Sequence, residues 1–292
     1  MPERTNDHGP LIDVHVKCAR CGYDLVATRL WAHCPECGLE AMATVAQHTD
    51  PQVAHWAAPQ DPAAASRAVI AATAAPFVAL LLQGSGPAMR TVDALAGRGA
   101  SFPSEVERPS WLVTAAILGA AAIVVRRGLA PAVNPTLRAS IGAARVRRLV
   151  GGLWAWAVLL LATFFLSLTV LANSAALAKA AVAAQILPAA FTLYALSPVL
   201  ARSGALTRAY REARHGRQSA DLVALTVSAA ITMWVLDGVI AGAVGEDWAT
   251  IALIVGAALF LISAMGLAYL VANGWVIAAG LRAPRIDPRR LR

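Results

Sequence analysis

Acidic residues become scarce beyond position 61: eight of the seventeen lie in the first 61 residues, and nine are spread over the rest of the 292-residue chain. Charged residues of both signs make up 14% and hydrophobic residues 58%, against the roughly 25% charge of a soluble globular domain. That balance excludes a water-soluble fold. Lysine is nearly missing, with Lys17 and Lys179 standing against 23 arginines, which together with abundant alanine reads as the codon bias of a GC-rich genome. The opening residues, MPERTNDHGP, hold no apolar run behind a basic start, so they are not a secretory signal peptide. The segment they lead is expected to stay in the compartment where it is made. There is no H-E-x-x-H, no G-x-S-x-G, no Walker loop and no pair of intramembrane carboxylates, which leaves an enzymatic role without support in the sequence.

What fills the chain instead is apolar runs. A helix rising 1.5 Å per residue needs roughly 20 apolar residues to cross a hydrocarbon core of about 30 Å. Six segments come near this length: 68–83, 109–125, 149–172, 180–201, 222–244 and 248–281. The first two are short. The last exceeds one perpendicular span, and must tilt, bend at Gly274 or continue along the interface. The expected fold class is an all-α polytopic membrane protein of about six transmembrane helices in three hairpins, led by a small N-terminal β zinc ribbon.

Charge gives the threading a direction. Arg126, Arg127, Arg138, Arg145, Arg147 and Arg148 separate the second and third spans, and Arg202, Arg208, Arg211, Arg214 and Arg217 separate the fourth and fifth. Arg282, Arg285, Arg289, Arg290 and Arg292 follow the sixth, whereas the alternate loops hold only Arg90, Arg98, Arg108 and Lys179. Short cytoplasmic loops retain Arg and Lys, so both termini are expected in the cytoplasm and the spans in the plasma (inner) membrane. Membrane lipids are then the expected partners. Anionic headgroups would meet Arg126, Arg127, Arg145, Arg147, Arg148, Arg208, Arg211 and Arg214.

Two of the basic loops carry a helical pattern. Asn134-Pro135 reads as an N-cap and first turn, after which Leu137, Ile141 and Ala144 share one face and Arg138, Arg145 and Arg148 the other. Leu206, Tyr210 and Ala213 form a similar stripe beside Arg208, Arg211 and Arg214. Both segments would lie in the headgroup plane or extend the flanking spans.

Asp237 is the only acid within a span interior, where a charge costs roughly 3 kcal/mol on insertion scales. With Lys179 at the head of the fourth span and Asn273 in the sixth, it marks a possible intramembrane polar site. The alternative is an interfacial, structural Asp. Pro188 and Pro198 interrupt the fourth span, and Gly238 and Gly242 form a GxxxG surface suited to close helix contact, including self-association.

The strongest local pattern is Cys18-Ala-Arg-Cys21-Gly-Tyr-Asp-Leu followed by Cys34-Pro-Glu-Cys37-Gly. Two C-x-x-C pairs supply four thiolates suited to one tetrahedral, structural zinc, and each pair carries a Gly where its turn strains the backbone. A rubredoxin-like iron site uses the same ligands. Disulfides are disfavoured by the expected reducing compartment. These residues, Val16 to Leu39, resemble the short zinc ribbon found ahead of transmembrane helices in many bacterial membrane proteins of unknown function. The resemblance implies a module on a membrane anchor and no particular activity.

The chain thus divides into a tail (1–14), the ribbon (15–42), a Pro-containing linker (43–66), the transmembrane domain (67–282) and a basic tail (283–292). In the ribbon Lys17, Arg20 and Arg29 are balanced by Asp24, Glu36 and Glu40, and a metal held by four thiolates adds net negative charge. Nucleic acid needs a basic face and is not an expected partner; a protein is. The reading is a noncatalytic membrane protein presenting the ribbon for protein interaction or membrane organisation. Its rival is a small transporter or channel with a polar path near Asp237.

Overall fold

In the computed structural model, which describes residues 10–48, 59–96, 104–168, 175–212 and 220–283, the chain is mostly helical. Helix α1 (Ala41–His48) closes the cysteine-bearing segment. After it come α2 (Pro62–Leu95), α3 (Ser104–Gly128), α4 (Pro135–Ile141), α5 (Ala143–Ser167), α6 (Ala175–Ala184), α7 (Ile186–Ala205), α8 (Arg208–Glu212), α9 (Ala220–Val244) and α10 (Glu246–Arg282). Among the described residues five stretches are long and apolar enough to cross a membrane: Pro62–Asp93, Pro109–Gly128, Ala143–Ser167, Lys179–Ala205 and Asp247–Arg282. A sixth, Ala220–Leu236, is apolar but shorter. These helices mark the chain as a membrane protein.

The long helices form a closed ring in chain order. Helix α2 packs on α3, α3 on α5, α5 on α7, α7 on α9, α9 on α10, and α10 returns to α2. Small residues make this closure possible, because close packing and not hydrophobic exclusion holds helices together in lipid. On α2, Ala65, Ala68, Ala72, Ala75 and Ala79 are all buried, and their alternating three- and four-residue spacing draws one seam along the helix. Gly274 of α10 faces Thr73 so closely that an added Cβ would lie 2.8 Å from the Thr73 Cγ2 methyl. Gly274, one of the places where this long span was free to bend, thus has a packing role within one uninterrupted helix of 37 residues.

Polar contacts fix one end of the ring. The Ser66 hydroxyl near the start of α2 donates to the Ala278 carbonyl near the end of α10 at 2.7 Å. Gly280 of α10 lies against Thr207, just past α7. Asn134 accepts from the Asp61 amide at 3.0 Å and donates to the carbonyls of Asp61 at 3.1 Å and Gly128 at 2.8 Å. It is fully buried and makes no side-chain bond to its own helix. The expected cap is therefore a staple joining the start of α2 to the end of α3, its side chain being consumed by a partner 73 positions away.

The helix expected to run from Asn134 through Arg148 is divided. Gly142 takes a φ of +95° between α4 and α5, a left-handed conformation that ends the first helix and re-aims the chain. Leu137 and Ile141 lie on α4 and are buried within the protein, but Arg145 and Arg148 belong to α5. The second basic segment is described only in part. Helix α7 runs to Ala205, the five-residue α8 follows, and Ala213 and Arg214 lie outside the described residues.

Within the fourth span the regular helical bonding lapses at Gln185, between α6 and α7, although Gln185 keeps helical φ and ψ of −68° and −20°. Pro188 explains the position: it has no N–H to give the carbonyl of Ala184, where α6 ends, and its ring crowds that carbonyl. Pro198 lies inside α7 without dividing it.

Candidate metal centre

The cysteine segment is built from one local turn used twice, sixteen residues apart. In the first, the Gly22 amide donates to the Cys18 carbonyl at 2.9 Å and the Cys18 amide to the Tyr23 carbonyl at 2.7 Å. In the second, Gly38 donates to Cys34 at 2.9 Å and Cys34 to Leu39 at 2.7 Å. Gly22 and Gly38 take φ of +78° and +72°, which a side chain would strain. An antiparallel bridge flanks each turn, Lys17 to Asp24 and His33 to Glu40, and a third joins Leu11 to Arg29. Isolated bridges of this kind, and no extended ladder among the described residues, are the β content of the segment.

The turns bring four sulfurs to one point. The Sγ atoms of Cys18, Cys21, Cys34 and Cys37 all lie within 4.8 Å of one another. Cys18 and Cys37 are 3.6 Å apart, as are Cys21 and Cys34, so each contact crosses from one turn to the other. A disulfide would need about 2.05 Å. Sulfurs about 2.3 Å from a tetrahedral zinc would be about 3.8 Å apart, close to what the turns provide. The four thiols are placed to hold one metal ion.

Electrostatics point the same way. The Arg20 and Cys21 amides donate toward the Cys18 sulfur and lower that thiol from 9.0 to about 6. Cys21 is helped by the Tyr23 amide, but desolvation and its three neighbouring sulfurs outweigh this and raise it to about 12. Cys37 is raised as well, the Leu39 amide and the Cys21 thiol being outweighed by burial and the thiols of Cys18 and Cys34. Four thiolates this close repel one another, and a divalent cation is what permits all of them to ionise.

A small apolar core backs the site: Ile12, Val16, Leu25, Leu30, Ala41 and Val45 are buried around Cys18 and Cys34. Helix α1 belongs to it, through Val45 and through the Thr44 hydroxyl, which accepts from the Ala19 amide at 3.3 Å. The stretch assigned to linker from residue 43 thus begins as a helix packed on the ribbon. His15 stays off the cluster and pairs with Asp24 at 2.6 Å, a hydrogen bond that lowers the Asp24 carboxyl.

The intramembrane candidates do not converge in the same way. Lys179 lies half-buried near the start of α6, far along the fourth span from the α7 end that meets Gly280. Asn273 is half-buried within ten residues of the α10 terminus at Arg282, toward the opposite end of the ring. Asp237, Gly238 and Gly242 lie on α9, but their surroundings are not among what is described. A polar contact the sequence reading missed sits in the fourth span: the Gln185 Nε2 donates to Thr163 Oγ1 at 3.0 Å, while its buried Oε1 has no partner. Pro188, three residues on, was the available signal for it.

The basic residues gather at one end. Arg126 and Arg127 end α3, Arg145, Arg147 and Arg148 begin α5, Arg208 and Arg211 lie on α8, and Arg282 ends α10. The Asn134, Ser66 and Gly280 contacts tie these termini together. Arg126, Arg127, Arg147, Arg148 and Arg208 are exposed there; Arg145 and Arg211 are half-buried, donating to the carbonyls of Ile141 at 2.9 Å and Ala205 at 2.6 Å. Arg214 lies outside the described residues.

No family model matches the chain, and no curated protein or solved structure matches it either.

Proposed function

We propose that the chain is a noncatalytic integral membrane protein whose six-span bundle anchors a structural zinc ribbon on the cytoplasmic face, where the ribbon meets a protein partner. The observation that carries this reading is the pair of repeated turns that converge four sulfurs within 4.8 Å. With four thiolate ligands, a zinc ion has no open position for substrate, so its role is to hold the fold. Zinc is favoured over iron by the prevalence of structural four-cysteine zinc sites. Orientation follows from the arginine-rich end, which the positive-inside rule assigns to the cytoplasm of a bacterial inner membrane.

A contact role is supported by what the ribbon leaves in solvent. Leu11 is 54% exposed and Trp31 52%, and Tyr23 and Val26 are exposed as well, on a segment whose charges nearly cancel. Aromatic residues so placed are typical anchors of protein interfaces. The test is affinity capture with the full chain and with Trp31→Ala and Leu11→Ala variants: a partner retained by the full chain and lost from both variants is the expected result. Undiminished capture would remove the contact role.

A second reading, a small transporter, is favoured by one feature: within the fourth span a buried Gln185 keeps an unpartnered side-chain oxygen, next to the Ala184 carbonyl that Pro188 cannot serve. Asp237→Asn and Asp237→Ala separate the two. A proton-coupled path loses flux, whereas an anchor keeps expression and partner binding unchanged.

A further inference from the structure

At the arginine-rich end, a cavity of about 390 Å³ opens between α5, α7 and α9, lined by Arg145, Arg148, Tyr194, Ser197, Pro198 and Asp221. Its walls differ in chemistry. Arg145 and Arg148 stand three residues apart on α5, hence on one face, and bring guanidinium donors. The bond from Arg145 Nη1 to the Ile141 carbonyl fixes that side chain beside the opening. The other lining residues bring acceptors: Asp221, in the first turn of α9, carries a carboxylate, Ser197 a hydroxyl, and the carbonyl of Tyr194 receives no helical N–H because Pro198 has none to give. From the cavity an apolar track runs along α7 through Tyr194, Phe191 and Leu187, which are 63%, 46% and 78% exposed and spaced three and four apart.

We propose that this cavity binds the headgroup of an aminophospholipid, with an acyl chain lying along Phe191 and Leu187. Two guanidinium groups suit a phosphodiester, and a single carboxylate beside them suits a primary ammonium. A purely anionic headgroup satisfies the arginines but offers the Asp221 carboxylate only neutral hydroxyl donors in place of a cation. A choline headgroup carries no N–H to give that carboxylate. The site rests on the reading that the bundle sits in lipid.

The test uses the full-length protein purified in detergent. It is mixed with phosphatidylethanolamine, phosphatidylglycerol and phosphatidylcholine of identical chains, and the lipid retained is counted by native mass spectrometry. The expected result is preferential retention of phosphatidylethanolamine. R148Q should lower that retention about fivefold or more, the loss of one charge-assisted hydrogen-bonding group. D221N should abolish the preference over phosphatidylglycerol while total binding persists. R282Q, at the same end on α10 but outside the cavity, should change neither. Equal retention of the three lipids by the unmodified chain overturns the site, and so does an R282Q effect equal to that of R148Q. Soluble glycerophosphoethanolamine should not compete at the lipid's concentration, and equal competition would overturn the membrane source. Recovery of the chain in buffer without detergent would overturn the membrane reading, and this site with it.

Discussion

The ribbon and the helical ring bury their apolar groups by opposite means. Residues 10–48 enclose a handful of side chains, Ile12, Val16, Leu25 and Leu30 among them, too few to hold a chain of that length together. Four sulfurs compensate, and the backbone is bent around them. In the ring the apolar supply is ample, and what is scarce is room: Ala65, Ala68, Ala72, Ala75 and Ala79 let α2 approach its neighbours, and Gly274 admits Thr73. Stability therefore hinges on a few atoms in one region and on distributed shape in the other. A small change should accordingly be catastrophic in the ribbon and graded in the ring.

The harshest test of that contrast is Cys34→Ser. Loss of one ligand should take metal content from about one ion per chain to essentially none, since a structural zinc site folds with its metal. Hydrogen exchange across residues 10–48 should rise to unprotected rates, while helical signal from the ring stays within error of the parent. Retained metal, or loss of both regions together, would show that the two are not separately stabilised.

Acid should produce a nearly comparable effect by another route. With Cys21 raised to about 12 and Cys37 raised above 9.0, both carry protons at neutral pH, whereas Cys18 at about 6 does not. Metal binding must then release at least about two protons per ion, and affinity falls about a hundredfold per pH unit on acidification. Because Cys18 is depressed, its contribution is retained above about pH 6 and lost as pH falls through that value, steepening the slope. Competition with a chromophoric chelator between pH 5.5 and 8 measures it; a slope below two would contradict the assignment. The ring has no counterpart, and its thermal midpoint should stay level over the same range.

Asn134→Ala is the ring's most damaging single change. It leaves the Asp61 amide and the Gly128 carbonyl without their partner in a buried place, a loss of about 2–4 kcal/mol. Thermal unfolding in detergent should show it, with metal content unchanged. An effect under about 0.5 kcal/mol would mean that water replaces the side chain.

The sequence carries these two regions unequally. The four ligands are legible because their spacing is local: a turn of four residues and a glycine specify each half, and only the meeting of the halves is left to the fold. Helix existence and the one-sided clustering of arginines are legible for the same reason. Asn134 was misread because its partner Asp61 lies far off in sequence, and a short polar residue before proline looks like a cap whatever its side chain touches. Gln185 was passed over because Pro188 drew attention to itself and away from the carbonyl it disturbs. The cavity that joins Arg145, Arg148 and Asp221 draws on three helices, and no pattern within one of them announces it.

The mildest test compares glycines. At Gly22 and Gly38 an added Cβ meets nothing within 4 Å, so Gly→Ala there imposes only the left-handed backbone strain, about 1 kcal/mol each. Because one turn is used twice, the two variants should weaken metal binding by similar factors, about fivefold each. Gly274→Ala is the converse: no unusual backbone, but a methyl that must displace Thr73, with a cost of about 1–3 kcal/mol to the ring and none to metal affinity. Measuring both properties for all three variants separates strain from collision. Unequal effects at Gly22 and Gly38 would show that the halves of the site are not equivalent, and a metal effect from Gly274→Ala would show that the ribbon and the ring are coupled.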